Sequence, residues 1–351
     1  MSEIVIQVQN VKRSFSSAQK GEGLKGTLEL LFKPKIATHE ALKGVSFEIE
    51  SGAFVGLIGA NGAGKTTLLK ILSGLIPPSS GQATVLGARP FDRSLSFRHQ
   101  ISLVMGQKAQ LWWDLPALDA FDLLKAIYEI PEDKYRERLN TLAELLDVKR
   151  LMQTQIRRLS LGERMKMELI GALLHWPKVI FLDEPTIGLD VLAAHKLREF
   201  LRVFNQKEKA TIILTSHNMD DIERLCSRVI ILKTGSVLFD GDPNVLKKKG
   251  ECRLRVRFLD MKTIEELASM SGVPAENIEF VAEGESGDAE TDGDAAAAVP
   301  TAFFNIHRDE VTKVLQAVMS KTQVVDMGIE EPSLESVIQR IYESEPSGAQ
   351  T

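Results

Sequence analysis

Eight consecutive residues constrain this chain more than any others: Gly59-Ala60-Asn61-Gly62-Ala63-Gly64-Lys65-Thr66. They follow an apolar run, Phe54–Ile58, and lead into Thr67–Ser73, whose residues suit a helix. The pattern G-x-x-x-x-G-K-[ST], set between a strand and a helix, describes a loop that wraps phosphate. Its glycines let the backbone curl so that successive N–H groups point inward, and the helix N-terminus adds partial positive charge. Lys65 then reaches the β- and γ-phosphates, and the Thr66 hydroxyl ligates Mg²⁺. The candidate nucleotide-binding set is Gly59, Asn61, Gly62, Ala63, Gly64, Lys65, Thr66 and Thr67.

A second signal complements the loop. Val179-Ile180-Phe181-Leu182-Asp183-Glu184 reads as a buried strand ending in two carboxylates. That placement suits Asp183 to the metal and Glu184 to orienting or deprotonating water. Apolar runs such as Ile212-Ile213-Leu214 repeat the pattern of strands buried on both faces. Such strands belong to a parallel sheet covered by helices, so the expected class is α/β. The first sixty residues alternate more loosely, as half-exposed antiparallel strands do.

Composition sets the limits. Hydrophobic residues make up 44% and charged residues 26% of 351, an ordinary globular balance that excludes collagen-like and wholly disordered chains. Cys226 and Cys252 are the only cysteines, too few for a disulfide framework or a cysteine metal cluster. No run reaches the ~18 apolar residues of a membrane span, and the start, MSEIVIQ, lacks a signal-peptide charge pattern, so a cytosolic protein is expected. Residues 251–351 hold eight Lys/Arg against twenty Asp/Glu, a net of −12, leaving +7 over residues 1–250. The acidic final hundred argues against nucleic acid as a partner. Gly250 after Lys247-Lys248-Lys249 marks the expected boundary between a 1–250 domain and a 251–345 α+β domain. Residues 283–300 carry six acids and no base, and a disordered insertion is expected there.

Further residues give a specific resemblance. Leu159-Ser160-Leu161-Gly162-Glu163, about twenty residues before Asp183, resembles the LSGGQ signature of ATP-binding-cassette (ABC) ATPases. The rest of that family's set follows its order: Gln107 as the Q-loop, Gly188-Leu189-Asp190 as the D-loop, and His217 as the switch histidine. The resemblance covers residues 4 to about 245. It implies a P-loop cassette with a RecA-like core, an antiparallel β subdomain and a helical subdomain at about 107–175. It also implies a head-to-tail homodimer with two ATP molecules sandwiched between the copies. Ser160 and Gly162 would then contact the γ-phosphate bound to the other subunit's loop, and Asp190 would join the nucleotide-binding set. Gln107 would sense Mg²⁺ and the γ-phosphate, and His217 would hold the γ-phosphate. Phe15 corresponds to the aromatic that stacks on adenine; a core phenylalanine after the first strand is the alternative. Leu161 and Glu163 depart from the signature's glycine and glutamine.

Met105–Pro116, Leu159–Leu169 and Ile329–Glu335 are similar to ATP-binding subunits of ABC-2-type exporters for drugs, sodium and viologens. The expectation is an ATPase docked through a separate permease on the cytoplasmic face of the membrane. The rivals are a polysaccharide-export ATPase and a soluble regulatory or mechanochemical ATPase. Trp112 and Trp113 would border the permease groove or, alternatively, pack the helical subdomain. Within Ser16–His39, an apolar stripe of Leu24, Leu28, Leu31 and Phe32 in a basic surround suggests a short helix at a membrane surface or against a protein face.

Overall fold

Strands β3 (Phe54–Ile58), β6 (Val179–Asp183) and β7 (Thr211–Thr215) are apolar along nearly their whole length and buried on both faces. They form the centre of a six-stranded sheet of order β5-β6-β7-β3-β8-β9, where β5 is Ile101–Met105, β8 Arg228–Lys233 and β9 Ser236–Gly241. All neighbours pair in parallel except β8 with β9. The computed structural model describes residues 3–19, 35–106, 108–246, 251–260, 262–281, 300–330 and 334–344. The chain divides into two compact units, Met1–Pro243 and Asn244–Thr351. The boundary expected at residue 250 falls within 247–250, outside the described residues.

A second, antiparallel sheet has the order β2-β1-β4, with β1 at Ile4–Gln19, β2 at Lys35–Glu50 and β4 at Ser80–Val85. Helix α1 (Lys65–Leu72), the first among the described residues, lies between the two sheets. Its Leu68, Leu69, Ile71 and Leu72 share one core with Ile6, Val8 and Val45 of the antiparallel sheet and Val55, Phe181 and Ile230 of the parallel one. Truncating any of those leucines would cost about 2–5 kcal/mol, so the helix carrying the glycine-rich loop is rigidly seated.

The β1–β2 pairing takes up both ends of the 16–39 segment. Ser16 pairs with Thr38, Ala18 with Ile36 and Gln19 with Lys35, so both ends of the 16–39 segment are strand rather than helix. The helix expected from the leucine spacing, with Leu24, Leu28, Leu31 and Phe32, falls on residues outside the described ones.

The connection between β5 and β6 is helical: α2 (Ala117–Ile127), α3 (Glu132–Leu145) and α4 (Leu161–Leu173). Beyond β6 come α5 (Val191–Glu208) and, after β7, α6 (Met219–Leu225).

The second unit runs β10 (Glu251–Phe258), α7 (Ile264–Ser271), β11 (Ile278–Val281), β12 (Thr301–His307), α8 (Val311–Met319) and β13 (Val324–Glu330). Its antiparallel order, β11-β12-β10-β13, is the ferredoxin-like β-α-β-β-α-β arrangement. Leu254, Val256, Ala302 and Phe304 alternate inward against Leu267 of α7 and Val314 and Val318 of α8. The opposite face carries Arg253 and Arg255, paired with Glu279 and Asp326. A last helix, α9, spans Leu334–Ser344. The expected disordered insertion lies outside the described residues apart from Pro300. That residue is buried, and its carbonyl accepts from the Phe258 N–H at 2.9 Å, so the last residue of the stretch assigned to disorder is held against the sheet just ahead of β12.

Candidate functional site

Because β3, β6 and β7 run in parallel register, their carboxyl ends open on one edge of the sheet. That edge is where open α/β sheets bind ligands. The loop from β3 closes onto α1 through Gly64, at φ 106°, where a Cβ would lie 2.6 Å from the Ala41 carbonyl oxygen. Only glycine fits there. Lys65 is almost fully buried, and its Nζ donates to the carbonyl oxygens of Gly59 (2.6 Å) and Ala60 (3.3 Å). Burial lowers its pKa, opposed by the negative charges of Glu184 and Asp183.

Asp183 closes the site from β6. Its carboxylate accepts from the Thr66 hydroxyl at 2.9 Å and from the Thr215 hydroxyl at 2.7 Å. Glu184 follows at φ 54°, a conformation that costs a non-glycine residue about 1 kcal/mol or more. Two contacts hold it: its N–H donates to the Thr215 carbonyl (3.1 Å) and hydroxyl (3.0 Å). On its other side Glu184 Oε1 lies 2.9 Å from His217 Nε2. Sequence-distant Lys65, Thr66, Asp183, Glu184 and His217 are thereby brought together at one edge.

Phe15 stands 39% exposed, which rules out the core alternative. It pairs across the ladder with His39 and carries the Arg13 guanidinium 4.6 Å above its ring. Phe15, His39 and Ala41 line one cleft with residues 60–67 and Glu184. An adjoining cleft is lined by Thr66, Lys70, Met105, Gly106, Lys108, Asp183 and Glu184. Gln107, between two of these, lies outside the described residues.

The donors fit a magnesium nucleotide. A buried ammonium held only by carbonyls favours an added anion. Thr66 and Asp183 supply hard oxygens, while no cluster of three or more His, Cys, Asp or Glu among the described residues makes an all-protein metal cage. That balance suits Mg²⁺ shared with phosphates.

Ser160, Gly162 and Asp190 do not line either cleft. Ser160 is the N-cap of α4, in a capping box: its hydroxyl accepts from the Glu163 N–H, and its own N–H donates to the Glu163 carboxylate at 3.0 Å. Glu163 is thus turned back into the helix end. Asp190 caps α5 through the Ala193 N–H at 2.7 Å. Leu161 fills the space beside Gly188, where a Cβ would fall 2.9 Å from Leu161 Cδ2.

The sequence reading missed three functional neighbours. Thr215 was signalled by a hydroxyl ending a buried strand, but its contact with Asp183 needs the strand order. Asp221, fully buried, accepts from Thr186 and Ser216 hydroxyls (2.6 Å each) and pairs with Arg198 at 2.8 Å. It ties the segment after Glu184 to the residue before His217. Glu168 on α4 has no motif at all.

Comparison with known proteins agrees with this geometry. Residues 42–187 match the model of the ABC transporter family. The chain is 31% identical over 210 residues to the ABC transporter ATP-binding protein NatA of Bacillus subtilis (strain 168), covering 60% of this chain and 85% of that protein. It is 32% identical to the Nod factor export ATP-binding protein I of Rhizobium sp. (strain N33), covering 70% and 73%. Of the larger ABC transporter G family member 20 of Dictyostelium discoideum only 29% is covered, at 32% identity. Among solved structures, cbiO1 of Clostridium perfringens, part of the ABC transporter complex cbiONQ, aligns with TM-score 0.57 and 26% identity over 70% of this chain and 92% of that one. The ATP-binding cassette MJ0796, solved as a dimer bound to ADP and Pi, shares the fold at TM-score 0.57 and 24% identity, over 68% and 98%. With Thr66 bonded to Asp183 and His217 beside Glu184 next to the glycine-rich loop, the chain belongs to the ABC transporter ATP-binding proteins, as an ATPase cassette that binds ATP.

Proposed function

We propose that this chain is the ATP-hydrolysing subunit of an ABC-2-type exporter, working as a pair of copies on the cytoplasmic face of a separate permease. The observation that carries the hydrolytic part is the single cluster of Thr66, Asp183, Glu184 and His217. In this reading Gly59–Thr67 cradles the phosphates and Phe15 stacks on adenine. Thr66 and Asp183, with Gln107, hold Mg²⁺, which when bound neutralises charge on the terminal phosphates. Glu184 takes the proton of the attacking water, and His217 fixes that carboxylate and reaches toward the terminal phosphate. Lys65 neutralises the phosphate chain from inside the loop. Since Ser160, Gly162 and Asp190 stand away from their own cleft, a head-to-tail pair is the arrangement that uses them. Closure on ATP then moves the permease, and hydrolysis reopens the pair.

The name of the Nod factor export relative supports the exporter part. Docking on a permease is supported by a cavity of about 220 Å³ whose lining includes Arg98, Leu103, Leu111, Leu124 and Tyr128. That is smaller than the ~300–1,000 Å³ of small-molecule pockets, and suits the side chains of a docked helix end. Trp112 and Trp113 beside Leu111 are 42% and 50% exposed, and exposed tryptophans are enriched among interface hot spots. Among the described residues no helix is long and apolar enough to cross a membrane, so attachment would go through the permease. Membrane fractionation of the untagged protein tests this. Recovery with the membranes should depend on co-expression of a permease and fall in Trp112→Ala and Trp113→Ala, while ATP binding stays intact. A protein wholly soluble in the presence of that permease would contradict it.

A further inference from the structure

Between the nucleotide cleft and the Leu159–Glu163 segment lies a junction that neither motif contains. Glu168, two turns into α4, is 6% exposed. Its carboxylate accepts from the backbone N–H of Gln110 (3.0 and 3.2 Å) and of Leu111 (3.3 Å to each oxygen). The Gln110 side chain in turn donates to the Leu103 carbonyl at 2.9 Å, tying the same loop to β5. One turn further on, Gly171 leaves so little room that a side chain would displace its neighbours. A Cβ there would lie 3.0 Å from Leu111 Cδ2 and 3.0 Å from Leu124 Cδ1. One turn back, the Arg164 guanidinium sits 5.3 Å from the Trp113 ring centre. Arg164, Glu168 and Gly171 follow i, i+4, i+7 spacing, so a single face of α4 makes the whole contact.

We infer that Glu168 is a positioning residue that clamps the loop leaving residue 107 to the helix opening at Ser160, so that loop and helix move as one body. A leucine would fill the space without desolvating a charge. What the carboxylate alone supplies is a pair of strong, charge-assisted acceptors for two adjacent backbone donors. Burial does raise the Glu168 pKa, against the Gln110 and Leu111 N–H bonds and the Arg164 charge, so those bonds offset a real cost. The loop begins at Met105, Gly106 and Lys108, which line the cleft with Thr66, Asp183 and Glu184. A displacement produced there by nucleotide passes through Gln110 and Leu111 to α4, and so to Ser160 at its N-cap. Glu168 touches no nucleotide and acts only through the helix.

The inference rests on the ATP-hydrolysing reading, and kinetics on the full chain separate the two. Glu168→Leu should keep its melting temperature within a few degrees and its KM for ATP within about twofold, while kcat falls about tenfold or more, as misplacement of a distant part does. Glu168→Gln retains an acceptor oxygen and should recover kcat to within about threefold of the parent. Gly171→Ala pushes Leu111 away without removing charge and should lower kcat in the same manner, which keeps the clamp testable if the leucine variant does not fold. Parental kcat in Glu168→Leu or in Gly171→Ala overturns the inference, as does a loss that follows melting temperature and is not recovered by glutamine. A parent protein that hydrolyses no ATP removes the functional reading, and the clamp with it.

Discussion

Lys65 is a buried ammonium whose desolvation works against the charge that makes it useful. Replacing it separates stability from binding: Lys65→Met should unfold at the same or a higher temperature than the parent without nucleotide, yet lose ATP affinity measured by calorimetry. A destabilised Lys65→Met would mean that the Gly59 and Ala60 carbonyl bonds outweigh desolvation. His175 gives a second test at this scale. It is buried, its Nε2 bonds the Ile101 carbonyl oxygen at 2.9 Å, and its ring stacks on Tyr128 at 4.0 Å. Burial drives its pKa down to about 4, with the Ile101 bond opposing and the His99 and Arg138 charges adding. The folded pKa is therefore depressed below the unfolded 6.5. Its neutral ring leaves stability untouched above pH 6.5, and stability is lost as pH falls from there toward 4, because only the unfolded chain takes up the proton. Urea unfolding should show His175→Gln gaining about 2–3 kcal/mol on the parent between pH 7.5 and 4.5; a constant gap would refute the assignment. What the sequence revealed at this scale were residues inside a contiguous pattern, such as Lys65, Thr66 and Asp183. Thr215, Asp221 and Glu168 stayed hidden because their partners come from other strands and helices, and one sequence does not state strand order or helix packing.

At the scale of elements, α4 shows how a departure from a motif resolves physically. An acid at position 163 would be unfavourable if it faced a triphosphate, and the capping box turns it onto the Ser160 N–H instead. Glutamate and glutamine serve that box alike. Glu163→Gln should therefore leave the melting temperature unchanged, whereas Glu163→Ala should lose about 1 kcal/mol. For a unit of this size that is about 2–4 °C by calorimetry. An equal loss in both variants would show that charge, rather than the cap, matters. The long β1–β2 hairpin was the element least visible in the sequence. Its strand arms are fixed by pairs 16 to 46 positions apart, from Gln19 with Lys35 to Ile4 with Glu50. The parallel strands were the most visible, because burial on both faces leaves no polar position to confuse their pattern.

The whole molecule consists of two units with separate cores, one built around α1 and the other around the sheet of β10–β13. A chain ending at Leu246 should remain folded and bind ATP with the parent's affinity, checked by circular dichroism and calorimetry. If the acidic second unit supports pairing of the copies, this shorter chain should also dimerise less readily. Loss of ATP binding on truncation would instead make the second unit part of the nucleotide site. The central claim concerns the first unit: Glu184 performs the hydrolytic proton transfer in a cleft that Ser160, Gly162 and Asp190 of a second copy complete. Sedimentation velocity on Glu184→Gln with and without ATP tests it most directly, with ATPase rate measured alongside. The account predicts a monomer without nucleotide, a stable dimer with ATP, and a rate lower by about 10²–10⁴, the range for loss of a general base. A variant that hydrolyses ATP at the parental rate and shows the same sedimentation with and without ATP would contradict it.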